Sequence, residues 1–116
     1  MPYIASLPQL YLEPRSGNLF KPMTESTLER RIGLFCKAHG LLYYKFSSPG
    51  RRGVPDRMIL GPGQKVMFLE VKATGKKPTK LQLYEMEKLR DNDFIAEWVD
   101  NLFDAMELIH DVMLKN

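Results

Sequence analysis

The sequence predicts an α/β domain in which a mixed β-sheet is flanked by helices. Helical and strand periodicities alternate along the chain in the order helix, three strands, helix, strand, helix. The 116 residues, of which 44% are hydrophobic and 27% charged, suit one domain whose core needs neither disulfides nor a structural metal. No apolar run approaches the ~18 residues that a membrane-spanning helix requires.

The first half of the chain is predicted to contain a helix, a strand and a basic loop. Apolar side chains recur at helical spacing from Thr24 or Ser26 to about His39, and Gly40 follows as a stop signal. An apolar and aromatic strand is expected over 41–46. The loop over 47–53 then contains proline, glycine and two arginines.

A β-hairpin is predicted next, with strands over 57–60 and 65–71. Residues 61–64, Gly-Pro-Gly-Gln, are a strong turn signal between these two apolar runs. Thr79 and Gln82 fit a capping box that opens a second helix over 80–90. After a strand over 94–99, Asp100 is expected to cap a third helix.

Residues 1–22 are predicted to form an N-terminal arm, and residues 23–116 the single domain. Four prolines interrupt the arm, although its apolar side chains suit packing on the domain or on a second subunit. The single cysteine, Cys36, has apolar neighbours and suggests a reduced, buried thiol in a cytoplasmic protein. The start of the chain shows no export signal.

Charge is distributed very unevenly around a formal net charge of +3. Residues 23–80 carry a net charge of +8, whereas residues 81–116 carry −6. A basic segment of this kind is typical of a protein that binds a phosphate-rich partner, although a solvated surface with uneven charge is the ordinary alternative. The basic segment contains four acids, and they require explanation: Glu25, Glu29, Asp56 and Glu70.

The hairpin register brings two of these acids together. If the turn is centred on Gly63, Asp56 faces Glu70, and opposed side chains have Cβ atoms only ~4.5–5.5 Å apart. Lys72 follows on the same face of the strand and compensates only part of the repulsion. Converging carboxylates of this kind select Mg²⁺ or Mn²⁺. A divalent-metal site for phosphodiester chemistry is therefore expected here.

Each of these features also has an ordinary explanation. Glu-x-Lys on a strand is most often a surface ion pair, and Pro-Asp is a common strand-entry dipeptide. Glu29 could close a capping box with Ser26, and Glu25 could complement the helix dipole in the first turn. The combination of register, adjacent lysine and basic surroundings favours the metal site.

Two segments resemble a known nuclease family. Residues 53–56, Gly-Val-Pro-Asp, and residues 68–72, Phe-Leu-Glu-Val-Lys, are similar to the Pro-Asp…(Asp/Glu)-x-Lys signature of the restriction-endonuclease-like superfamily. More narrowly, residues 45–57 and 70–73, with Leu81-Gln82, resemble the VRR-NUC family of virus-type replication-repair nucleases. The resemblance covers residues 23 to about 100. It implies a restriction-endonuclease-like αβββαβ core, dependence on Mg²⁺ or Mn²⁺, and cleavage of DNA.

The same resemblance implies roles for individual residues. Asp56 and Glu70 would be direct metal ligands, with the Val71 carbonyl as a third. Lys72 would position and help deprotonate the attacking water or stabilise charge on phosphorus, and Gln82 matches the family's glutamine on the second helix. An acid of the first helix would hold a metal-bound water or a second metal, for which Glu29 is preferred to Glu25.

Substrate and assembly are also expectations from the resemblance. Compact stand-alone members, often phage-encoded, are similar to Holliday-junction resolvases and tend to form homodimers, so branched DNA such as a four-way junction or flap is the expected partner. The backbone phosphates would be contacted by five basic side chains: Arg51, Arg52, Lys76, Lys77 and Lys80. A non-catalytic nucleic-acid-binding module and a general or restriction-type nuclease remain alternatives.

Overall fold

A computed structural model describes residues 21–115 of the chain. The predicted arm, residues 1–22, therefore lies outside the described residues except for Lys21 and Pro22. The elements run in the following order: α1 (Glu25–Ala38), β1 (Leu42–Lys45), β2 (Arg57–Gly61), a 3₁₀ turn (Pro62–Gln64), β3 (Lys65–Val71), α2 (Lys80–Asp91), β4 (Ile95–Val99), α3 (Leu102–Ile109) and a π-helical turn (His110–Leu114). This order confirms the predicted α/β class.

Helix α1 begins after Thr24, whose hydroxyl accepts a hydrogen bond from the backbone N–H of Thr27 at 3.2 Å. This contact satisfies one of the N–H groups that the first turn leaves without a helical partner. A Ser26–Glu29 capping box does not form, because Ser26 lies inside the helix. The helix ends before Gly40, whose φ of +72° is a conformation that favours glycine.

The four strands form one mixed sheet in the order β1-β2-β3-β4. β1 pairs with β2, and β2 with β3, in antiparallel orientation, whereas β3 and β4 are parallel. Arg57 lies opposite Leu69, and Gly61 lies opposite Lys65. The hairpin register is therefore the predicted one, and its continuation places Asp56 across from Glu70.

Strand β3 separates two apolar layers because its side chains alternate between the faces of the sheet. Met67, Leu69 and Val71 join the larger core, which α1 and α3 cover, whereas Phe68 packs with Met86 of α2 on the opposite face. Glu70 is expected on the α2 face, because it lies two residues beyond Phe68. The alternation thus directs Glu70 toward α2.

The cap of α3 differs from the prediction. Asn101, and not Asp100, is the N-cap, and its side-chain oxygen accepts a hydrogen bond from the N–H of Asp104 at 2.8 Å. Asp100 instead accepts a hydrogen bond from the N–H of Gly75 at 3.1 Å. Both residue types suit a cap, and the contact with Gly75, distant in sequence, engages Asp100 elsewhere.

Cys36 is completely buried in the larger core, and burial raises the pKa of its thiol to about 12. This agrees with the predicted buried thiol. Among residues 21–115, no helix is both long and apolar enough to cross a membrane.

Candidate active site

The candidate site lies where β2 begins and β3 ends. Asp56 immediately precedes β2, and its backbone carbonyl accepts a hydrogen bond from the N–H of Phe46 at 2.7 Å, which extends the pairing beyond the end of β1. Glu70 is the penultimate residue of β3, and its side chain is only 2% exposed. The two carboxyl groups are close enough for Asp56 to raise the pKa of Glu70. The predicted juxtaposition is therefore present.

The two oxygens of Glu70 have different surroundings. Oε2 lies 3.5 Å from Nζ of Lys72 and accepts a hydrogen bond from Nε2 of Gln82 at 3.1 Å. Oε1 is buried and has no hydrogen-bond partner among residues 21–115. An orphaned buried carboxylate oxygen is costly, so it marks a position that suits an additional ligand.

The pKa of Glu70 rises from its ordinary value of 4.5 to about 7. Burial is the largest cause, because it disfavours the charged carboxylate, and the nearby Asp56 acts in the same direction. Lys72 opposes both effects. This site therefore resists holding two carboxylate charges unless further positive charge is supplied.

Gln82 makes two contacts at once. Its Oε1 accepts a hydrogen bond from the N–H of Thr79 at 2.9 Å, while the Thr79 hydroxyl accepts one from the N–H of Gln82, which completes the predicted capping box. Its Nε2 remains available and donates to Glu70. The cap therefore orients the amide toward the site.

Both candidate acids of α1 approach Asp56. Carboxylate oxygens of Glu25, Glu29 and Asp56 all lie within 4.8 Å of one another. Burial, Asp56 and Glu29 raise the pKa of Glu25, in that order of importance, and Lys72 lowers it. Proximity alone therefore does not distinguish the two glutamates.

An arginine that sequence reasoning missed pairs with one of the two glutamates, Glu29. Nε of Arg57 lies 3.2 Å from Oε2 of Glu29, and the Arg57 guanidinium stands 4.8 Å from the ring centroid of Tyr43. The Tyr43 hydroxyl donates to the backbone carbonyl of Glu29 at 3.0 Å. Glu29 is thus partly neutralised by Arg57, and no sequence signal pairs them, because the contact depends on how α1 packs against β2.

The donor set fits a hard divalent cation. Aspartate and glutamate oxygens are the ligands that Mg²⁺ and Mn²⁺ prefer. The cluster of oxygens within 4.8 Å contains Glu25, Glu29 and Asp56 but not Glu70, which instead contributes a buried Oε1 without a partner among the described residues. Val71 is buried at the end of β3. The role of its carbonyl as a further ligand stays a prediction.

The five basic side chains predicted to contact phosphates differ in their surroundings. Four of them are exposed: Arg52, Lys76, Lys77 and Lys80. Arg51 is also half exposed, but its Nε lies 2.7 Å from Oε1 of Glu85, whose side chain is only 8% exposed. Glu85 was missed by sequence reasoning, because its partner lies in a loop distant in sequence.

Comparison with known proteins identifies the class of protein to which this fold belongs. No family model matches the chain. A protein of Acyrthosiphon pisum secondary endosymbiont phage 1, named "Putative nuclease p44", is 46% identical over 65 residues, which are 56% of this chain and 70% of that protein. A solved structure described as "VRR_NUC domain" is 30% identical with a TM-score of 0.71, over 76% of this chain and 97% of that one.

A second solved structure, described as "VRR_NUC domain protein", has the same fold. It is 16% identical with a TM-score of 0.66, and the match covers 79% of this chain and 89% of that one. The fold is that of a nuclease domain. The chain belongs to the VRR-NUC family, which confirms the resemblance seen in its sequence.

Proposed function

We propose that the protein is a Mg²⁺- or Mn²⁺-dependent DNA endonuclease that hydrolyses phosphodiester bonds in branched DNA. The observation that carries the proposal is the buried Glu70 carboxylate beside Asp56, with one oxygen that has no hydrogen-bond partner among the described residues. Burial beside a second acid disfavours the ionised Glu70 carboxylate, and a bound dication offsets that cost.

Asp56 and Glu70 would hold the cation, with the Val71 carbonyl as a third ligand and an α1 acid, Glu25 or Glu29, nearby. A bound divalent cation supplies positive charge that stabilises the developing negative charge on the phosphate and favours ionisation of water. Glu70 is held in place by Gln82, so its free oxygen keeps a fixed direction.

Lys72 would act on the attacking water and on the charge that develops at phosphorus. Its side chain is 15% exposed and lies 3.5 Å from Glu70, so it is anchored at the edge of the site. Lys72 also lowers the pKa of Glu25, so its ammonium group acts on an acid of α1 as well as on Glu70. This placement suits a residue that orients water toward a phosphate.

The basic residues would position the DNA backbone. Arg52, Lys76, Lys77 and Lys80 are exposed in the loop before Asp56 and around the start of α2, and Arg51 shares the first loop. Phosphate contacts fix the register of the DNA without reading its sequence. A homodimer with two such sites would cut opposing strands of a four-way junction, in the manner of a Holliday-junction resolvase.

Cleavage assays on a four-way junction, a flap and a linear duplex test the proposal. Asp56→Asn and Lys72→Ala are expected to remain folded and to bind DNA, but to cut about 10²–10⁴-fold more slowly, since each removes a group that acts at the reacting phosphate. Asp111→Asn and Lys37→Ala remove an exposed acid and an exposed lysine elsewhere and serve as matched controls. Full cleavage by Asp56→Asn in Mn²⁺ would exclude the mechanism.

A further inference from the structure

A cleft of about 380 Å³ opens between the basic loop and α2. One wall is formed by Phe46 and Val54, and the opposite wall by Leu89 and Asn92. Phe46 donates its N–H to the Asp56 carbonyl at 2.7 Å, and Val54 lies two residues before Asp56. The cleft is therefore continuous with the chain segment that delivers Asp56 to the site.

The lining combines apolar walls with a few polar groups. The Phe46 ring packs on Phe68, with centroids 5.2 Å apart, so it is held by the smaller core. The carboxylate of Glu85, 8% exposed, also lines the cleft and is fixed by Arg51. Small-molecule sites commonly have this composition and a volume of about 300–1,000 Å³.

The mouth of the cleft carries positive charge beside an exposed aromatic ring. Arg51 and Lys88 line the cleft, and Nζ of Lys88 stands 5.1 Å from the centroid of the Tyr84 ring. Tyr84 is 56% exposed. Cations next to aromatic rings are what proteins use to bind single-stranded nucleic acid, because the cations contact the backbone while bases stack on the rings.

We propose that this cleft binds an unpaired nucleobase of the DNA substrate, with the adjoining nucleotide on Tyr84. The proposal rests on the proposed nuclease function and specifies its substrate as DNA that carries an unpaired segment next to a duplex. Phe46, Val54 and Leu89 contact the faces of the base, and Glu85 offers an acceptor to its amino group. Arg51 and Lys88 contact the flanking phosphates.

Charge favours this occupant over a second copy of the chain. A two-fold contact through this face would bring Arg51 and Lys88 of two copies toward one another. Of the acids on α2, Glu85 is paired with Arg51, Glu87 lies 3.7 Å from Arg90, and Asp91 is exposed at the end of the helix. A polyanionic strand neutralises the cations more directly.

The test measures DNA affinity in EDTA, by fluorescence anisotropy, for a duplex and for the same duplex with a short single-stranded flap. Asn92 is exposed, and within residues 21–115 its side chain makes a hydrogen bond to the Lys88 carbonyl alone, so it can be replaced without loss of the core. Asn92→Trp is expected to fill the cleft and reduce flap affinity about tenfold, while duplex affinity stays within about twofold. Asn92→Ala leaves the cleft open and is the matched control.

A second pair of variants tests the role of the exposed Tyr84 ring. Tyr84→Ala is expected to weaken flap binding about tenfold, and Tyr84→Phe to restore it, since stacking needs the ring and not the hydroxyl. Tyr44→Ala removes a tyrosine of similar exposure, 48%, from β1 and should change neither affinity. 2-Aminopurine in the flap should change fluorescence on binding, and this change should disappear in Asn92→Trp.

Three results would overturn the cleft proposal. The first is equal flap affinity for Asn92→Trp and Asn92→Ala, and the second is an equal loss of flap and duplex affinity in Tyr84→Ala. The third is that these variants change the sedimenting mass of the protein instead of its DNA affinity, which would assign this face to contacts between copies. If the wild-type protein cuts duplex and branched DNA normally in any of these cases, the proposed function stands. If the wild-type protein neither binds nor cuts DNA, the proposed function itself fails.

Discussion

The side-chain amide of Gln82 donates a hydrogen bond to Oε2 of Glu70 at 3.1 Å while its oxygen caps α2 through the N–H of Thr79. One side chain therefore links the start of a helix to the central carboxylate of the candidate site. The direction of the Glu70 carboxylate depends on a contact that looks purely structural in the sequence.

Replacing Gln82 separates these two roles. Thr79→Ala and Gln82→Ala should each lower the free energy of unfolding by about 1 kcal/mol, because each removes part of the capping box. Only Gln82→Ala should also reduce divalent-metal affinity or cleavage, by about 10–100-fold. Urea unfolding and calorimetric metal titration measure the two effects. Equal metal affinity in Thr79→Ala and Gln82→Ala would show that Gln82 acts only as part of the helix cap.

The raised pKa of Glu70 predicts an opposite pH dependence with and without metal. The folded state holds this proton up to about pH 7, whereas the unfolded chain releases it near 4.5, so the stabilisation is complete below 4.5 and is lost as pH rises to 7. Metal binding requires the ionised carboxylate. Thermal melts in EDTA should therefore lose stability toward pH 7, while the stabilisation by Mg²⁺ should increase over the same range.

Glu70→Gln provides the control for this prediction. The amide does not titrate, so its melting temperature in EDTA should lack the loss between about pH 4.5 and 7. Its response to Mg²⁺ should be weak at every pH. A wild-type profile in this variant would assign the titration to another group.

Arg51 and Arg52 are expected to differ despite being adjacent. Arg52→Ala should reduce the slope of log affinity against log salt by about 0.9, the value for one lost phosphate contact, and leave the melting temperature unchanged. Arg51→Ala should also lower the melting temperature, because it leaves the poorly exposed Glu85 carboxylate without its partner. The double variant should bind DNA more weakly and have the flattest slope. Unchanged slopes would place the phosphate contacts elsewhere.

Gly53 is expected to be indispensable to the loop that leads into Asp56. Its φ is +87°, and a Cβ there would lie 2.8 Å from Cγ of Leu81, so Gly53→Ala should destabilise the fold by about 1–3 kcal/mol. Gly50→Ala is the matched control, since its φ is +78° but no atom of the described part of the chain lies within 4 Å of an added Cβ. Gly50→Ala should lower the free energy of unfolding only by the cost of the backbone conformation. In urea unfolding, Leu81→Ala should relieve part of the destabilisation caused by Gly53→Ala.

Local rules explain the part of the site that was predicted correctly. The Pro-Gly turn and strand alternation fix the hairpin register, so the positions of Asp56 and Glu70 follow from spacing alone. The Thr79–Gln82 capping box is likewise a contact between residues close in sequence. Such contacts can be predicted because few alternatives compete with them.

Contacts between distant elements could not be predicted in this way. The ion pair of Arg57 with Glu29 depends on the rotation of α1 above the sheet, and that of Arg51 with Glu85 on the path of an irregular loop. The cap of α3 was predicted wrongly because Asp100 and Asn101 are both good caps and only the contact of Asp100 with Gly75 separates them. In each case a long-range interaction decides between locally equivalent possibilities.

The reactivity of the buried Cys36 thiol can report how often the core of the protein opens. Thiolate is the form that reacts with alkylating reagents, and burial raises the pKa of this single cysteine to about 12. Alkylation of the folded chain therefore has to wait until the packing between α1 and the sheet loosens. The labelling rate, followed by mass spectrometry, reports how often that happens, and its slowing by Mg²⁺ or DNA would measure how strongly each ligand holds the helix that carries Glu25 and Glu29 against β2.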